Sequence, residues 1–288
     1  MELLKEFRAN IGVLLNITPD HLDRHGNIEE YTRIKTKIFE GQKEEDFAII
    51  GVDNQITSWI YEEQRSDNIS CTIGISSNPE FENIRNIICC NEDSITDNYW
   101  IANYEIKENI YLKGKHNREN FCAAYAACRA AGAKGEEIVQ IASTYTGLAH
   151  RMQFIGKFEN ISFYNDSKAT NADATRPALL ALNNIFWLAG GIQKEGGVTS
   201  LVDNLENVKK VYLFGEAAEE FAVTLKNHVK IEIFKDMNSA FEKAYREALE
   251  YGKDADILLS PACASYDQFK NFEDRGNKFI LLYNNLKK

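Results

Sequence analysis

Short apolar runs alternate with amphipathic segments through the second half of this 288-residue chain. The runs have the length and composition of buried strands, and the segments between them have helical spacing. Such alternation predicts a parallel sheet with helices on both faces. The predicted strands are SFYND (162–166), IFWLAGG (185–191), KVYLFG (210–215), KIEIF (230–234) and DILLSPA (256–262). The predicted helices are ATRPALLALN (174–183), AAEEFAVTLKN (217–227), MNSAFEKAYREALEYG (237–252) and NFEDRGNKFILLYNNL (271–286).

The first half also has the pattern of an α/β fold, and a new alternation of strands and helices begins near Ala149. We therefore predict two domains, at 1–149 and 150–288. Residues 77–113 resemble edge or meander strands. The continuous apolar strands of the first half are IGVLLNI (11–17), FAIIGVD (47–53) and SCTIGIS (70–76). Its helices are EEYTRIKTKIFEGQ (29–42), HNRENFCAAYAACRAAGA (116–133) and GEEIVQIASTYTGL (135–148).

The overall composition excludes several classes of partner. A formal net charge of −10 argues against non-specific binding to nucleic acid or to anionic membranes, because phosphate surfaces attract basic patches. No apolar run approaches the roughly 20 residues that span a bilayer, so we expect no membrane insertion. The six cysteines are scattered without a CxxC pair, which favours a cytoplasmic protein with reduced thiols.

Polar and glycine-rich loops follow most of the predicted strands. In open parallel sheets, ligands bind outside the carboxyl ends of the strands, so these loops are where we expect the chemistry. The loops, in chain order, are TPDHLDRH, NDSKATN, IQKEGG, EAAEE and CASYDQFKNF. Their convergence is a stronger signal than any single motif.

The first of these loops allows two interpretations. His21 lies between the carboxylates of Asp20 and Asp23, an arrangement that suits metal chemistry or contact with a phosphate. The same letters also fit an ordinary helix start, with Thr18 as N-cap and Pro19 as the first helical residue. Spacing alone does not decide between the two.

The glycine-rich loop LAGGIQKEGG surrounds Lys194 with glycines. Glycine allows a backbone to approach an anion closely, and the lysine would supply positive charge. The loop matches neither the Walker A nor the GxGxxG pattern, and a flexible loop with a solvated lysine remains the alternative.

Two further segments carry candidate ligand-binding residues. Cys263 lacks a base in a recognisable Cys–His signature, so we interpret it as a small packed residue. Ser265, together with nearby backbone N–H groups, could hold a carboxylate at a helix start. Asn117 and Asn120, at the start of a predicted helix, could read an adenine edge or simply cap that helix.

Five segments resemble the Mur ligase family in order and spacing, and within it they look like the D-glutamate-adding members. These are LLNITPDHLDRH…YTRIK, LKGKHNRENFCAAYAA, GLAHRMQFIG, YNDSKATNADAT and LLSPACASYDQFKNFEDRGNKF. The resemblance implies part of a central ATPase domain followed by a Rossmann-like α/β domain. It also implies amide formation in peptidoglycan synthesis: ATP phosphorylates the carboxylate of UDP-N-acetylmuramoyl-L-alanine, and the amine of D-glutamate attacks the acyl-phosphate.

The same resemblance implies ATP and Mg²⁺ as cofactors and gives individual residues their roles. Lys35 matches a lysine that is carbamylated in the family and helps to hold Mg²⁺, with His21 beside it. The residues implied in catalysis are His21, Lys35 and Lys168. Those implied at the nucleotide are Asn117, Asn120, Arg151 and Asp166. Those implied around the reacting centre and the D-glutamate are Lys168, Thr170, Lys194, Ser265 and Phe272.

The resemblance has gaps that bear on activity. The chain contains no G-x-x-G-K-[ST] phosphate loop, and it looks as if it begins inside the central domain. We therefore expect negligible ligation by this chain alone and a separately supplied N-terminal half as a partner. Gln193 also stands where the family often has an acid. The alternatives are a fragment that only binds ligand, or another Mur or folylpolyglutamate-type ligase.

Overall fold

A computed structural model describes residues 7–18, 26–107, 109 and 111–287, which fall into two compact units. The first unit comprises Met1–Asn109 and Lys115–Tyr145, and the second comprises Ile110–Gly114 and Thr146–Lys288. The predicted boundary at Ala149 therefore falls shortly after the point where the second unit takes over. The assignment of nucleotide and amino-acid binding to two domains stays a prediction.

A six-stranded mixed sheet forms the centre of the first unit, in the order β1-β2-β3-β4-β5-β6. Strands β1 to β4 run parallel, whereas β5 and β6 add to the edge as an antiparallel meander. The strands are β1 (Ile11–Leu14), β2 (Phe47–Gly51), β3 (Cys71–Ser76), β4 (Ile87–Cys90), β5 (Ser94–Asp97) and β6 (Ala102–Glu105). The helices are α1 (Ile28–Thr36), α2 (Gln55–Asp67), α3 (Lys115–Ala130) and α4 (Gly135–Thr144).

Both faces of this first sheet are covered, as the unbroken apolar runs require. Successive residues of a strand point to opposite faces, so Ile49 and Ile50 enter different apolar clusters. Ile49 shares its cluster with Tyr125 of α3, and Ile50 shares its cluster with Ile60 of α2. Burial of these side chains is the main force holding the two helices on the sheet.

The second unit is built on another six-stranded sheet, in the order β12-β11-β9-β13-β8-β7. The five neighbouring strands from β12 to β8 in this order are parallel, and β7 pairs antiparallel with β8 at the edge. The strands are β7 (Gln153–Phe158), β8 (Ile161–Asn165), β9 (Ile185–Gly190), β11 (Val208–Phe214), β12 (Ile231–Phe234) and β13 (Ala255–Leu259). A separate short ribbon pairs β10 (Ile192–Gln193) with β14 (Cys263–Ala264).

Helices cover both faces of the second sheet. Trp187 and Phe186 are neighbours in β9, and each is buried in a different apolar cluster. The helices are α5 (Ala172–Ala181), α6 (Ala218–Leu225), α7 (Met237–Tyr251) and α8 (Phe272–Asn285). Three of them begin at a side chain that accepts a backbone N–H bond, namely Asn171, Asp236 and Asn271.

The structure confirms the α/β fold class and parallel pairing in both sheets, and it corrects three details. Helix α2 and strand β7 were not predicted. The helix predicted over 29–42 is shorter, because a 3₁₀ turn at Lys37–Phe39 follows α1. Along the part of the chain that the structure describes, no helix combines the length and apolar character needed to cross a bilayer.

Candidate functional site

Three loops meet at the carboxyl edge of the second sheet. They follow the neighbouring strands β8, β9 and β13. The loops after β8 and β13, and the last residue of β9, each offer an oxygen to the guanidinium of Arg275. The Arg275 side chain comes from the first turn of α8 and is fully buried. The loops that sequence analysis selected for chemistry are therefore joined by a residue that it did not select.

Arg275 donates all of its described hydrogen bonds to uncharged oxygens. Nε donates to the Ser167 hydroxyl at 3.0 Å, and Nη2 donates to the Ser167 carbonyl at 2.8 Å. Nη2 also reaches the Cys263 carbonyl at 3.0 Å, and Nη1 reaches the Gly190 carbonyl at 3.4 Å. Burial lowers the pKa of Arg275 to about 10, and the negative charge of nearby Asp267 opposes that fall. The guanidinium therefore stays charged at neutral pH.

Asp166, at the start of the loop after β8, is a buried carboxyl with two hydrogen bonds. One oxygen accepts from the Ser260 hydroxyl at 2.7 Å, and the other accepts from the Met152 N–H at 3.1 Å. Burial raises the pKa of Asp166 to about 7, although those two bonds and the charge of Arg151 oppose the rise. The group can therefore change its protonation state near neutral pH.

Lys168 and Phe272 lie together at the same edge. The exposed Lys168 ammonium is 5.1 Å from the centre of the Phe272 ring, a cation–π distance. The His150 ring meets the same phenyl ring edge-on at 6.2 Å, and the His150 carbonyl accepts the Lys168 N–H at 3.0 Å. Burial lowers the pKa of His150, whose Nδ1 lies 3.0 Å from the Asn165 amide nitrogen. A neutral imidazole beside Lys168 is the expected state.

Lys194 lies exposed on the loop that follows β10. The Lys194 carbonyl accepts the Gly197 N–H at 3.1 Å, so the loop is closed as a turn. Gln193 donates its amide to Glu220 of α6, which places an acidic group beside this loop even though Gln193 itself is neutral. The loop therefore has defined internal bonds while its lysine faces solvent.

The glycines before Lys194 have a structural explanation. Gly190 and Gly191 have φ values of +138° and +131°, which favour glycine. A Cβ at Gly190 would strike the Phe214 carbonyl, and one at Gly191 would strike the Ala264 carbonyl. These two positions are thus explained by close approach of the chain to itself, without invoking an anion.

The loop after β13 carries Ser265 and Cys263, which are both buried. The Ser265 carbonyl accepts N–H bonds from Gln268 and Phe269, so the segment begins a turn. Burial raises the pKa of Cys263 to about 12, which keeps its thiol protonated. The interpretation of Cys263 as a packed residue is confirmed.

Arg151 and Thr170, the remaining candidates in this unit, flank the buried groups. Arg151 is exposed and precedes Met152, whose N–H binds Asp166. Thr170 is partly buried and precedes Asn171, the N-cap of α5.

The candidates in the first unit lie on two helices. Lys35, in the last turn of α1, is exposed, and its ammonium lies 5.1 Å from the centre of the Tyr31 ring. Asn117 and Asn120 lie inside α3, which begins at Lys115, so neither takes the N-cap position. His21 and the alternative helix start at Pro19 lie outside the described residues.

A polar cluster that sequence analysis missed joins the end of β2, Ser77 and the first turns of α3. The Asp53 carboxylate, which follows β2, accepts the Ser77 N–H at 3.0 Å and the Ser77 hydroxyl at 2.9 Å. Lys115 lies 3.4 Å from Asp53, and Glu119 lies 3.3 Å from the Ser77 hydroxyl. Burial alone would raise the pKa of Asp53, but these hydrogen bonds and the Lys115 charge lower it. Burial and the Asp53 charge raise the pKa of Glu119.

A metal site is not assembled within the described part of the chain. Among the described residues, no group of three or more His, Cys, Asp or Glu side chains could hold a metal ion. Lys35 would become an oxygen ligand only after carbamylation, because an ammonium cannot bind a cation.

Comparisons with known proteins agree with this architecture. The Mur ligase middle domain matches residues 2–128, and the Mur ligase glutamate ligase domain matches residues 150–263. A UDP-N-acetylmuramoylalanine--D-glutamate ligase of Rickettsia bellii is 44% identical and covers 99% of this chain. The relative of the same name from Caulobacter vibrioides is 39% identical, also over 99% of the chain. The chain spans only 63% and 61% of the lengths of these relatives.

Solved structures share the fold at low sequence identity. The UDP-N-acetylmuramoylalanyl-D-glutamyl-2,6-diaminopimelate--D-alanyl-D-alanyl ligase of Acinetobacter baumannii is 18% identical, with a TM-score of 0.63 over 97% of this chain and 59% of its own. A Yersinia pestis bifunctional folylpolyglutamate synthase/dihydrofolate synthase, solved with AMPPNP and a Mn ion, is 15% identical. Its TM-score is 0.62, over 95% of this chain and 62% of its own.

The fold and the loops together define an α/β protein with two units. Its parallel strands end in polar loops, at the edge of the sheet where such folds bind ligands. Its two units carry the middle and the glutamate-ligase domains in their family order. The chain belongs to the Mur ligase family.

Proposed function

We propose that this chain forms the nucleotide-binding and amino-acid-binding part of an ATP-dependent ligase that joins D-glutamate to UDP-N-acetylmuramoyl-L-alanine. The observation that carries the proposal is the meeting of three strand-end loops and α8 at one edge of the second sheet. Identities of 44% and 39% to relatives named for this ligation support the choice of substrates.

The proposed reaction has two steps. The substrate carboxylate attacks the γ-phosphorus of ATP, and ADP leaves. The D-glutamate amine then attacks the acyl carbon, loses a proton and expels inorganic phosphate. Both steps bring anionic groups together, so fixed positive charge and positioning supply most of the catalysis.

Individual residues take the following roles in this proposal. Lys168 neutralises charge at the acyl-phosphate, and Lys194 pairs with a carboxylate of D-glutamate. The other residues proposed around the amino acid and the reacting centre are Thr170, Ser265 and Phe272. The residues proposed at the nucleotide are Asn117, Asn120, Arg151 and Asp166. Lys35 and His21 complete the proposed catalytic set.

ATP and Mg²⁺ are the proposed cofactors. Support for ATP comes from the family and from the AMPPNP that the Yersinia pestis neighbour contains. A carbamate on Lys35 would offer Mg²⁺ the hard oxygen ligand that it prefers, with His21 beside it.

A cytoplasmic location and a separately supplied N-terminal half belong to the same proposal. The 288-residue sequence contains no G-x-x-G-K-[ST] loop to cradle the phosphates. The second candidate function is therefore ligand binding without turnover by this chain alone.

Phosphate release tests both candidates. We expect negligible release by the chain with ATP, Mg²⁺, D-glutamate and UDP-N-acetylmuramoyl-L-alanine, and D-glutamate-dependent release once an N-terminal half is added. Release that needs neither amino acid nor UDP-substrate would contradict the ligase. Turnover by this chain alone at ordinary enzyme rates would remove the need for the half. Ligand binding without turnover in the mixture would favour a binding module.

A further inference from the structure

Arg275 combines two properties that an ordinary structural arginine does not need. Its side chain is fully buried, where an unneutralised charge is costly. It also lies in the first turn of α8, where the partial positive charge of a helix start disfavours a cation. Because both effects are unfavourable, we expect Arg275 to have a role that offsets them.

The bonds of Arg275 fix the origins of three loops at once. Its acceptors are Ser167 after β8, the Gly190 carbonyl at the end of β9, and the Cys263 carbonyl after β13. A guanidinium can do this because its planar fork offers five donors in fixed directions. A lysine ammonium in its place could not reach the same acceptors with the same geometry.

Each of these anchors lies just before a residue proposed to meet the amino acid. Lys168 directly follows Ser167, and Ser265 follows the Cys263–Ala264 strand. Lys194 follows the short β10 strand that pairs with β14. A displacement of the guanidinium would therefore move all three side chains relative to one another.

The helix is tied to the same centre a second time. The Ser167 hydroxyl, which accepts from Arg275, donates its own proton to the Phe272 carbonyl at 2.8 Å. Phe272 begins α8 and carries the ring that faces Lys168. Ser167 thus links the loop, the helix start and the guanidinium.

The charge of Arg275 is not cancelled by its direct partners. All of them are carbonyl or hydroxyl oxygens, and Asp267 acts on it only through space. In a weakly polar interior such a charge acts over a longer distance than it would in water. A ligand with two carboxylates would gain more from this field than a ligand with one.

We propose that Arg275 is the positioning residue of the amino-acid site: it holds the three loops in register and supplies the buried positive charge that favours a dicarboxylate. The proposal rests on the proposed function for its ligand, D-glutamate. It concerns a residue that acts through Lys168, Lys194 and Ser265 rather than by touching the reacting atoms.

The test uses NMR titrations of the 288-residue chain, isotopically labelled, with D-glutamate and with D-glutamine. We expect Arg275→Gln to weaken D-glutamate binding about tenfold or more, and D-glutamine binding less, because charge and geometry are both lost. Arg275→Lys keeps the charge, so about a threefold loss is expected, with shifted amide signals in all three loops. Ser167→Ala should shift mainly the loop after β8 and the start of α8.

Arg246→Gln is the matched control, since it makes the same change at an exposed arginine of the same unit. Its affinity for D-glutamate should stay within about twofold of that of the original chain, as expected for a surface charge. The amide signals of the three loops should stay where they are in the original chain. If Arg275→Gln does not fold, Arg275→Lys and Ser167→Ala decide the question.

Two results would overturn the proposal. One is a folded Arg275→Gln chain whose affinity for D-glutamate is within twofold of that of the original chain, or whose affinity for D-glutamine falls as much as its affinity for D-glutamate. The other is an Arg275→Lys chain whose signals change only in α8. A failure of the proposed function looks different: the original chain then binds no D-glutamate, while the loop signals still report on positioning.

Discussion

At the scale of single residues, burial and charge conflict most clearly at Asp166. Its pKa of about 7 lies above the ordinary value of 3.8, with burial as the main cause. The folded chain therefore holds this proton more tightly than the unfolded chain does. Its contribution to stability is full below about pH 4 and is lost as the pH rises towards 7.

Asp166→Asn should flatten this decline. The amide oxygen can still accept the Met152 N–H, and the amide nitrogen can donate to Ser260, whose hydroxyl then turns towards Thr175 at 3.1 Å. We compare the free energy of unfolding of the variant with that of the original chain at two pH values. The difference should favour the variant by about 1–3 kcal/mol more at pH 7.5 than at pH 4. Urea unfolding at several pH values measures this, with the exposed Asp203→Asn as control. Parallel pH profiles for both chains would contradict it.

Lys35 carries a prediction that depends on the proposed function. Lys35→Ala should abolish ligation in the mixture with an N-terminal half, and short carboxylic acids should restore part of it by replacing the carbamate oxygens. Lys37→Ala, two residues further along, is the control and should keep its activity. Full activity of Lys35→Ala would remove the carbamate, and electron density at the lysine tip tests for it directly.

The sequence could select these residues but not their surroundings. Asp166 stood out because it follows a strand, whereas the Ser260 partner that keeps it buried lies 94 positions away in the chain. In the sequence, Arg275 is one of several charged residues in the predicted helix over 271–286. A cation in the first turn of a helix, where the dipole disfavours it, was the signal that could have revealed it.

At the scale of elements, periodicity succeeded where one face or both faces of a strand were uniformly apolar. It missed α2, because Trp59 in that helix is 65% exposed and breaks the apolar stripe. It also missed β7, an edge strand whose register shifts next to Gly156, which has φ +155°. A bulged edge strand lacks the regular alternation on which such predictions depend.

A network of charges ties α7 to the second sheet. The Glu247 carboxylate accepts from Lys210 at 2.8 Å and from the Tyr212 hydroxyl at 2.5 Å, and Lys243 lies 3.0 Å away. Burial alone would raise the pKa of Glu247, but these bonds lower it to about 2. Its stabilising contribution is therefore full above about pH 4.5 and is lost as the pH falls towards 2.

Glu247→Gln should lower the free energy of unfolding by about 1–3 kcal/mol at pH 7, because Lys210 loses a charged partner in a partly buried position. The difference from the original chain should shrink as the pH falls below about 4.5, the ordinary pKa of a glutamate. Denaturant titrations at pH 7 and pH 3 provide the measurement. The exposed Glu250→Gln is the control, and an equal loss in both variants would show that the network contributes nothing specific.

At the scale of the whole molecule, architecture and specificity come from different parts of the chain. Neighbours at 15% and 18% identity share the fold, and their names cover different amino-acid additions. The fold is thus shared by proteins with different names, whereas the residues that this chain is proposed to offer an amino acid lie on the loops after β8, β9 and β13. The choice of amino acid should therefore follow from the charges on those loops.

An amino-acid panel tests that argument. In the mixture with an N-terminal half, we expect D-glutamate to support phosphate release, and we expect diaminopimelate, L-lysine and L-alanine to support little. L-lysine and L-alanine lack the second carboxylate that Lys194 is proposed to bind, and diaminopimelate carries an additional ammonium beside that lysine.

Lys194→Ala should raise the KM for D-glutamate about tenfold, as for loss of a charged contact, with a smaller change in kcat. Lys226→Ala, in the same unit, is the control. Preferred use of diaminopimelate or L-lysine would reassign the chain to a different Mur ligase specificity, and an unchanged KM in Lys194→Ala would remove that lysine from the site.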